Sequence, residues 1–276
     1  MKSEGTRIEL VEGYFDENAD SWSALYSKAQ RANDVVLKDR KDSAVAALTK
    51  NLPSGSRILD AGCGAGLTSV DLVKQGYRVH AIDISQKMLD LCRENLSKEG
   101  CPADAYELAR ADLDAASFED EAFDGIAALG FLQYQENEGA TLTHLKRILK
   151  PGGVLVVTGP TKRRISNLLG LAPRYKALRN RLAGRAQATM PVEHQVLHKI
   201  SDNYYTPGRF RELLSGAGFE VLDARGHGYA NYAILSRRLG FKGEMFLHRN
   251  FTRLSRVVPI GRWANDIIAV ARKPKG

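Results

Sequence analysis

The stretch that decides the fold is Leu59-Asp60-Ala61-Gly62-Cys63-Gly64-Ala65-Gly66, an apolar run that leads into a turn with three glycines. Glycine has no Cβ atom, so such a turn lets a ligand approach the backbone and lets the next helix pack closely. Apolar residues at helical spacing follow in Thr68–Gln75, and Tyr77–Asp83 has the composition of a second strand. The pattern predicts a β-α-β unit with a ligand site at the turn.

Beyond this unit, short aliphatic runs continue to alternate with amphipathic stretches, which is typical of a parallel sheet with helices on both faces. Ser85 is placed to cap a helix that ends near Gly100. The further predicted strands are Tyr106–Ala111, Phe123–Leu129, Val154–Thr158, Phe219–Ala224 and Ile267–Ala271, and the further predicted helices are Gly139–Leu149 and Pro207–Ala217. The chain is therefore predicted to be a doubly wound α/β protein with a seven-stranded, mostly parallel sheet.

The glycine spacing separates this turn from two related ones. A dinucleotide fingerprint requires a third glycine at the sixth position counted from Gly62, where Leu67 stands. A P-loop requires a lysine before a serine or threonine, and Leu67 instead precedes Thr68. The observed pattern, D-x-G-x-G-x-G, favours a ligand without a pyrophosphate.

Acidic residues stand at the ends of the next two predicted strands. Ligands of open α/β sheets bind beyond the carboxyl ends of the strands. Asp83 is placed there to accept hydrogen bonds from both hydroxyls of a ribose, and Asp112 to accept one from an adenine amino group. Ile84, Met88 and Leu113 are placed to enclose the adenine ring. The alternative, a structural turn followed by chance acids, is disfavoured because both acids end successive strands.

Three motifs resemble those of class I S-adenosylmethionine-dependent methyltransferases: residues 59–66, Ala81–Ser85 and Leu149–Gly153. The resemblance is strong over residues 55–160 and looser over the last two strands. It implies S-adenosylmethionine as the cofactor, with S-adenosylhomocysteine as its product. It also implies that the seventh strand, around Asn265–Ile268, is antiparallel.

The same resemblance assigns roles to individual residues. It implies that Asp83 holds the ribose and Asp112 the adenine. It further implies that Gly62 contacts the methionine portion and that Leu129 borders the sulfonium. The remaining predicted cofactor contacts of the glycine turn are Asp60 and Gly64.

The first fifty residues have helical periodicity and are predicted to cover residues 51–276, the methyltransferase-like domain. Gly13–Asp16, followed by Trp22 and Tyr26, resembles the opening of ubiquinone-type and magnesium-protoporphyrin O-methyltransferases. By that resemblance Tyr26 contacts the methionine end of the cofactor. The alternative is that Trp22 and Tyr26, four residues apart, simply face the core.

Two insertions, at about 161–205 and 233–262, contain the excess positive charge of the chain, whose net charge is +8. Residues 161–190 contain eight basic and no acidic residues, and residues 233–262 contain seven basic residues and Glu244. Leucines and aromatic residues recur between the arginines at mostly three- or four-residue steps, which is typical of basic helices on an anionic membrane surface. The alternatives are a lid formed by the two apolar stripes and a site for nucleic acid or an acidic partner.

Methyl transfer from a sulfonium is an in-line displacement that depends mainly on alignment and exclusion of water. For a hydroxyl acceptor, the candidate bases are His194, His198 and Tyr205, in the first insertion. The predicted acceptor is a small or lipid-linked molecule methylated on oxygen. The alternative is an RNA or other nucleic-acid methyltransferase or binding protein, although Leu129–Tyr134 lacks the Asn/Asp-Pro-Pro-aromatic motif usual in adenine methylation.

Composition and the N-terminal sequence indicate the expected cellular location of the protein. No stretch approaches the length of apolar residues that a membrane-spanning helix requires, and the N-terminus lacks a signal-peptide pattern. The expected location is therefore cytoplasmic, with peripheral contact to the inner face of the membrane. Three cysteines without a CxxC pair predict neither a metal site nor a disulfide framework.

Overall fold

A seven-stranded sheet with helices on both faces forms the centre of the molecule. The structure, a computed structural model, describes residues 6–27, 32–161, 203–229, 234–255 and 260–275. Neighbouring strands follow the order β3-β2-β1-β4-β5-β7-β6. Strands β1 to β5 are parallel, and β7 runs antiparallel between β5 and β6. The predicted fold class, including the antiparallel last strand, is confirmed.

The bounds of the strands agree with the sequence pattern in most places. The strands are β1 Arg57–Ala61, β2 Arg78–Asp83, β3 Tyr106–Arg110, β4 Phe123–Ala128, β5 Leu149–Pro160, β6 Glu220–His227 and β7 Asp266–Arg272. β5 and β6 extend furthest beyond their predicted ends. β5 begins at Leu149, because Leu149 already pairs with Phe123 across an irregularity in the β4–β5 ladder. β6 continues to His227, because its pairing with β7 extends to Asp266.

Seven long helices lie among the described residues: α1 Arg7–Ser27, α2 Ala32–Asn51, α3 Leu67–Lys74, α4 Gln86–Lys98, α5 Glu138–Ile148, α6 Pro207–Gly216 and α7 Ile234–Leu254. The side chain of Ser85 accepts a hydrogen bond from the Met88 amide at 3.1 Å, as its predicted capping role requires. Asn137 caps α5 in the same way.

Two hydrophobic clusters fill the space between the sheet and its helices. Because side chains alternate along a strand, Ile58 and Leu59 of β1 enter opposite clusters. The Ile58 cluster includes residues of α2, α3 and α4, such as Leu48. The Leu59 cluster includes residues of α5 and α6, such as Phe210. This two-sided packing fixes the carboxyl ends of β1, β2 and β4 at one edge of the sheet.

The two basic insertions differ in what the structure describes of them. Residues 162–202 of the first insertion lie outside the described residues. The lid and membrane predictions for this insertion depend on those residues and therefore stay predictions. The second contains α7, whose helix is kinked at Gly240. None of the helices in the described ranges combines the length and apolar character needed to cross a membrane.

Candidate functional site

The glycine turn after β1 is held by backbone contacts and by close packing. The amides of Gly62 and Cys63 both donate to the Ile82 carbonyl of β2 at 2.9 Å. Gly62, Gly64 and Gly66 all have positive φ, a conformation that favours glycine. The turn is therefore a rigid loop between two neighbouring strands.

The three glycines face different surroundings. A Cβ at Gly66 would overlap the Cys92 sulfur and lie 3.1 Å from the Cα of Cys92, so this glycine is needed where α4 packs. A Cβ at Gly62 would lie 2.9 Å from the ring of Phe131. A Cβ at Gly64 would meet no atom within 4 Å. Gly64 is thus the position at which the backbone borders open space.

Asp83, at the end of β2, joins the glycine turn to the start of α4. One of its carboxylate oxygens accepts from the Gly64 amide and the other from the Ser85 amide, both at 2.9 Å. Burial raises the pKa of this carboxyl, and the backbone hydrogen bonds act in the opposite direction. Since an ionised carboxylate oxygen can accept more than one hydrogen bond, each oxygen keeps capacity for a ligand.

Asp60, near the end of β1, is the most deeply buried acid of the site, with 2% of its surface exposed. The hydroxyl of Ser69 donates to it at 2.6 Å. Burial raises the pKa of Asp60 to about 6, against the effect of that hydrogen bond. Its carboxyl is therefore poised to change charge in response to a nearby cation.

One cavity of about 320 Å³ lies above this turn and brings most of the predicted cofactor residues together. Nine of the ten line it: Asp60, Gly62, Gly64, Asp83, Ile84, Met88, Asp112, Leu113 and Leu129. The tenth, Tyr26, falls on α1, and its side chain lies outside the described residues. We call the glycine turn together with Asp83, Asp112 and Leu113 the cavity floor. Contact of these residues with a cofactor remains a prediction.

The opposite side of the cavity is formed by α1 and the loop 130–136, which we call the cavity roof. Asp16 of α1 accepts a hydrogen bond from the Ser85 hydroxyl at 2.5 Å. The guanidinium of Arg7 donates to the Gln133 carbonyl at 3.1 Å. The rings of Phe15 and Tyr134 meet edge to face, with centroids 5.4 Å apart. The contact with Ser85 thus connects the roof to α4, and the other two contacts join α1 to the loop 130–136.

Helix α2 adds a cationic group to the cavity. Arg40 lines it and lies 3.6 Å from Asp266 of β7. The same guanidinium lies 3.6 Å from the place of a Cβ at Gly130, which directly follows Leu129. The Gly130 amide donates to the Thr158 hydroxyl at 2.8 Å, so this loop has a fixed position. The cavity therefore has both an acidic and a basic group in its lining.

Residues 59–157, which form this floor and the strands beneath it, match the family model described as a methyltransferase domain. The chain contains a methyltransferase domain. The resemblance in the motifs is thereby confirmed for this part of the chain. A magnesium-protoporphyrin O-methyltransferase of Rhodobacter capsulatus is 36% identical over 95 residues, which are 32% of this chain and 42% of that protein.

A second relative matches over a longer part of the chain. The S-adenosyl-L-methionine-dependent Diels-Alderase iliD of Neonectria sp. (strain DH2) is 31% identical over 168 residues, 61% of this chain and 60% of that protein. The chain thus spans between 42% and 60% of the length of these two relatives. Among solved structures, magnesium protoporphyrin IX methyltransferase (ChlM) from Synechocystis PCC 6803 with bound SAH has a TM-score of 0.65 at 19% identity, with 96% of this chain and 99% of that chain covered. That likeness confirms the fold.

The three candidate bases fall in two places. His194 and His198 lie outside the described residues. Tyr205 is described but does not line the cavity, because its ring is buried against Gly159 and Phe210 on the α6 side of the sheet. Its hydroxyl is hydrogen-bonded to Glu138, and burial raises the pKa of Tyr205. The structure thus separates Tyr205 from the described cavity.

Other titratable groups near the cavity have structural roles. His227 is buried and lies 3.4 Å from the Val36 carbonyl, and burial lowers its pKa to about 4. A hydrogen bond to Cys92 and burial raise the pKa of the Cys63 thiol well above its usual value, so it stays neutral. None of the cavity-lining residues that the structure describes is a histidine.

Several residues that line the cavity were not identified from the sequence. They share a place in the roof or in α2, distant along the chain from the glycine motif: Arg7, Val11, Phe15, Arg40, Phe131, Gln133 and Tyr134. The one sequence signal for these cavity residues was the aromatic pair within Gly13–Asp16, because it indicated an N-terminal cover. No local sequence motif identifies Arg40 as a cavity residue, because the position of its side chain depends on how α2 packs across the sheet.

Proposed function

We propose that this protein is an S-adenosylmethionine-dependent methyltransferase acting on a small-molecule or lipid-linked acceptor, with oxygen as the methylated atom. The observation that carries the proposal is the cavity floor, in which the glycine turn, Asp83 and Asp112 line one cavity within a methyltransferase domain. ChlM, which shares this fold, is described with bound SAH. The bound cofactor would supply an electrophilic methyl group.

The floor suits the nucleoside half of such a cofactor. The open side of Gly64 leaves room for a ligand against the backbone, and Asp83 lies directly beside it. In this proposal Asp83 accepts hydrogen bonds from the ribose hydroxyls. Asp112 accepts one from the adenine amino group, and Ile84 and Leu113 enclose the ring.

The methionine half carries an ammonium and a carboxylate, and the cavity offers one group for each. Asp60 is the acid nearest the end of β1, and an adjacent cation would favour its ionised form. Arg40 lies beside Gly130 and can donate two parallel hydrogen bonds to a carboxylate. Opposite charges in the lining therefore match a zwitterionic end group.

The roof favours an acceptor with a flat, apolar portion. Phe15, Phe131 and Tyr134 bring three aromatic rings to the lining. Burial raises the pKa of Tyr134 to about 12, so its hydroxyl remains protonated and acts as a hydrogen-bond donor rather than a base. In this proposal these residues align the acceptor and exclude water from the transfer.

His194 and His198 remain proposed bases for the acceptor hydroxyl. A base within reach of that proton contributes to the rate of transfer without affecting cofactor affinity. Replacement by glutamine of the histidine that acts as the base should therefore lower kcat by about a hundredfold or more. The Kd for S-adenosylhomocysteine should stay unchanged. Equal kcat values in both variants and the wild type would remove them from the mechanism.

A second candidate function is a cyclisation that uses bound S-adenosylmethionine without transferring its methyl group. It is favoured by the match to the Diels-Alderase iliD, which covers 61% of this chain. Such a reaction needs an apolar surface that encloses the substrate and no histidine base, in keeping with the aromatic residues of the roof and with the described lining residues, none of which is a histidine. The two functions differ in whether S-adenosylhomocysteine is formed.

The deciding experiment is titration calorimetry of the whole chain with S-adenosylhomocysteine and, as a control, with NAD. Binding of S-adenosylhomocysteine alone, at micromolar Kd, is expected. Incubation with methyl-labelled S-adenosylmethionine and a panel of quinols, porphyrin carboxylates and phenols then separates transfer from cyclisation. Binding of NAD in place of S-adenosylhomocysteine would overturn the proposal.

A further inference from the structure

The part of α7 after the kink at Gly240 has an unusually apolar exposed surface. Phe246 is 65% exposed, and Phe241 and Leu254 near the two ends of this part are 46% and 43% exposed. Phe246 contacts mainly solvent, so its large aromatic side chain contributes little to the packing of the fold. Exposed apolar groups that cluster on one element indicate a surface for interaction.

Basic residues surround Phe246 on the same face. Lys242, Arg249 and Arg253 are all exposed and stand at positions i−4, i+3 and i+7 relative to Phe246. Residues at these spacings share one side of a helix. The acid of this part of the helix, Glu244, is buried on the opposite side together with Met245 and His248. The exposed face around Phe246, from Lys242 to Leu254, therefore combines apolar and positively charged groups, and none of its described residues is acidic.

The inner face of α7 is fixed to the body of the protein. The Nε2 atom of His248 lies 2.9 Å from the Asp39 carboxylate of α2, and its Nδ1 atom accepts from the Tyr229 amide at 3.1 Å. The ring of Phe251 packs against Tyr229 with centroids 5.8 Å apart. These contacts set the rotation of the helix, so the face around Phe246 is presented outward as a fixed surface. We call this face, formed by Lys242, Phe246, Arg249, Arg253 and Leu254, the α7 outer face.

We propose that the α7 outer face docks on an anionic membrane surface, lying in the plane of the lipid headgroups. Its cations match the negative charge of acidic phospholipids, and Phe246 is placed to enter the boundary between headgroups and acyl chains. Cations alone would serve a polyanion such as RNA equally well. The exposed apolar side chains among them favour the lipid surface, because insertion removes their area from water.

This docking deepens the proposed function, because it would bring the cavity to a lipid-linked acceptor. α7 is anchored on α2 through Asp39, and the next residue of α2, Arg40, lines the cavity. The structural link between the docking surface and the active site is therefore short. Docking itself rests only on the α7 outer face and is testable without an acceptor.

The test is co-sedimentation of the whole chain with phosphatidylcholine vesicles and with vesicles containing about 30% phosphatidylglycerol. Binding only to the anionic vesicles, with a decrease at high salt, is expected. The double variant Arg249→Glu/Arg253→Glu should bind at least about tenfold more weakly, and Phe246→Ala about tenfold more weakly. The same samples are tested for binding to polyuridylic acid.

Matched controls are available on other surfaces. Lys87→Glu/Lys98→Glu changes the charge equally on α4, and Leu222→Ala removes an exposed apolar group from β6. Vesicle binding equal to that of the wild type is expected for both. All variants should retain the wild-type Kd for S-adenosylhomocysteine, which separates docking from the proposed function. The proposal is overturned if the α7 variants bind vesicles as tightly as the controls, or if they lose binding to polyuridylic acid and not to vesicles.

Discussion

The cavity floor and the cavity roof are held in place by different kinds of contact. In the floor, Gly62 and Cys63 bond through their backbones to β2, and Gly66 packs without clearance against Cys92. In the roof, helix α1 is attached through side chains, among them Asp16. The floor is thus part of the sheet, whereas the roof rests on it.

The difference has a consequence for ligand exchange. Backbone hydrogen bonds within a sheet break only when the domain unfolds. A helix held by side-chain contacts can separate from the domain at much lower free energy. We therefore expect a cofactor enclosed between floor and roof to enter and leave by displacement of α1. Substitutions in the floor should affect folding and affinity, and substitutions in the roof should affect exchange rates.

The largest effect is expected for Gly66→Ala. The added Cβ would overlap Cys92 and hold an alanine at positive φ, so we expect loss of about 3 kcal/mol or more of unfolding free energy. Gly64→Ala is the matched control, since its Cβ meets no protein atom and only the backbone strain of about 1 kcal/mol remains. Denaturant unfolding of both variants measures the contrast.

The Gly64→Ala variant should instead lose affinity for S-adenosylhomocysteine, because its methyl group points into the open space beside Asp83. Calorimetry on the folded variant tests this. Equal destabilisation of the two variants would mean that the floor is not packed as described.

The second effect concerns the pH dependence of the floor. The folded pKa of Asp60, about 6, lies above the ordinary value of 3.8, so the folded protein binds this proton more tightly than the unfolded chain. The free energy of unfolding should therefore fall by up to about 3 kcal/mol as the pH rises from about 4 to about 6, and stay lower above that range. In Asp60→Asn, which keeps an acceptor for Ser69, this component of the fall should be absent. Unfolding curves across that pH range provide the comparison, and parallel profiles for the two proteins would argue against a raised pKa.

The third effect is on affinity through the floor. Asp83→Ala removes a charged acceptor and also releases the Gly64 amide, so S-adenosylhomocysteine should bind more weakly by about 1.5–3 kcal/mol. Asp104→Ala, at an exposed acid far from the cavity lining, is the control. An unchanged Kd for Asp83→Ala in calorimetry would contradict the proposed placement of the ribose beside Asp83.

The smallest effect is expected in the roof. Asp16→Ala removes the hydrogen bond to Ser85 and should lower stability by only about 1 kcal/mol. Release of S-adenosylhomocysteine should become several-fold faster, as stopped-flow displacement would show.

Ser85→Ala removes the same contact together with the cap of α4, so it should destabilise the protein more than Asp16→Ala does. Release rates that are equal in Asp16→Ala and the wild type would contradict a roof that opens for exchange.

The sequence predicted the floor well because its determinants are local. Gly62, Gly64 and Asp83 lie at strand ends, where the order of short strands and turns already fixes their position. The bounds of β5 and β6 were less well predicted, because both strands are extended by pairing with distant partners, as Leu149 is with Phe123. Tyr205 was associated with the site by its place in the chain, yet the hydroxyl contact with Glu138 and the packing around its ring place it elsewhere.

The sequence by itself determined the fold class, the glycine turn and the acidic strand ends, since hydrophobic periodicity and glycine spacing act over a few residues. Tertiary structure alone decided which side chains close the cavity. Arg40, Phe15 and Phe131 come from three separate segments, and they line one cavity only because α1 packs on α4 and α2 packs across one face of the sheet. It also decided that Phe246 faces outward, because the contact of His248 with Asp39 sets the rotation of α7, and such long-range packing leaves no periodic signal in the chain.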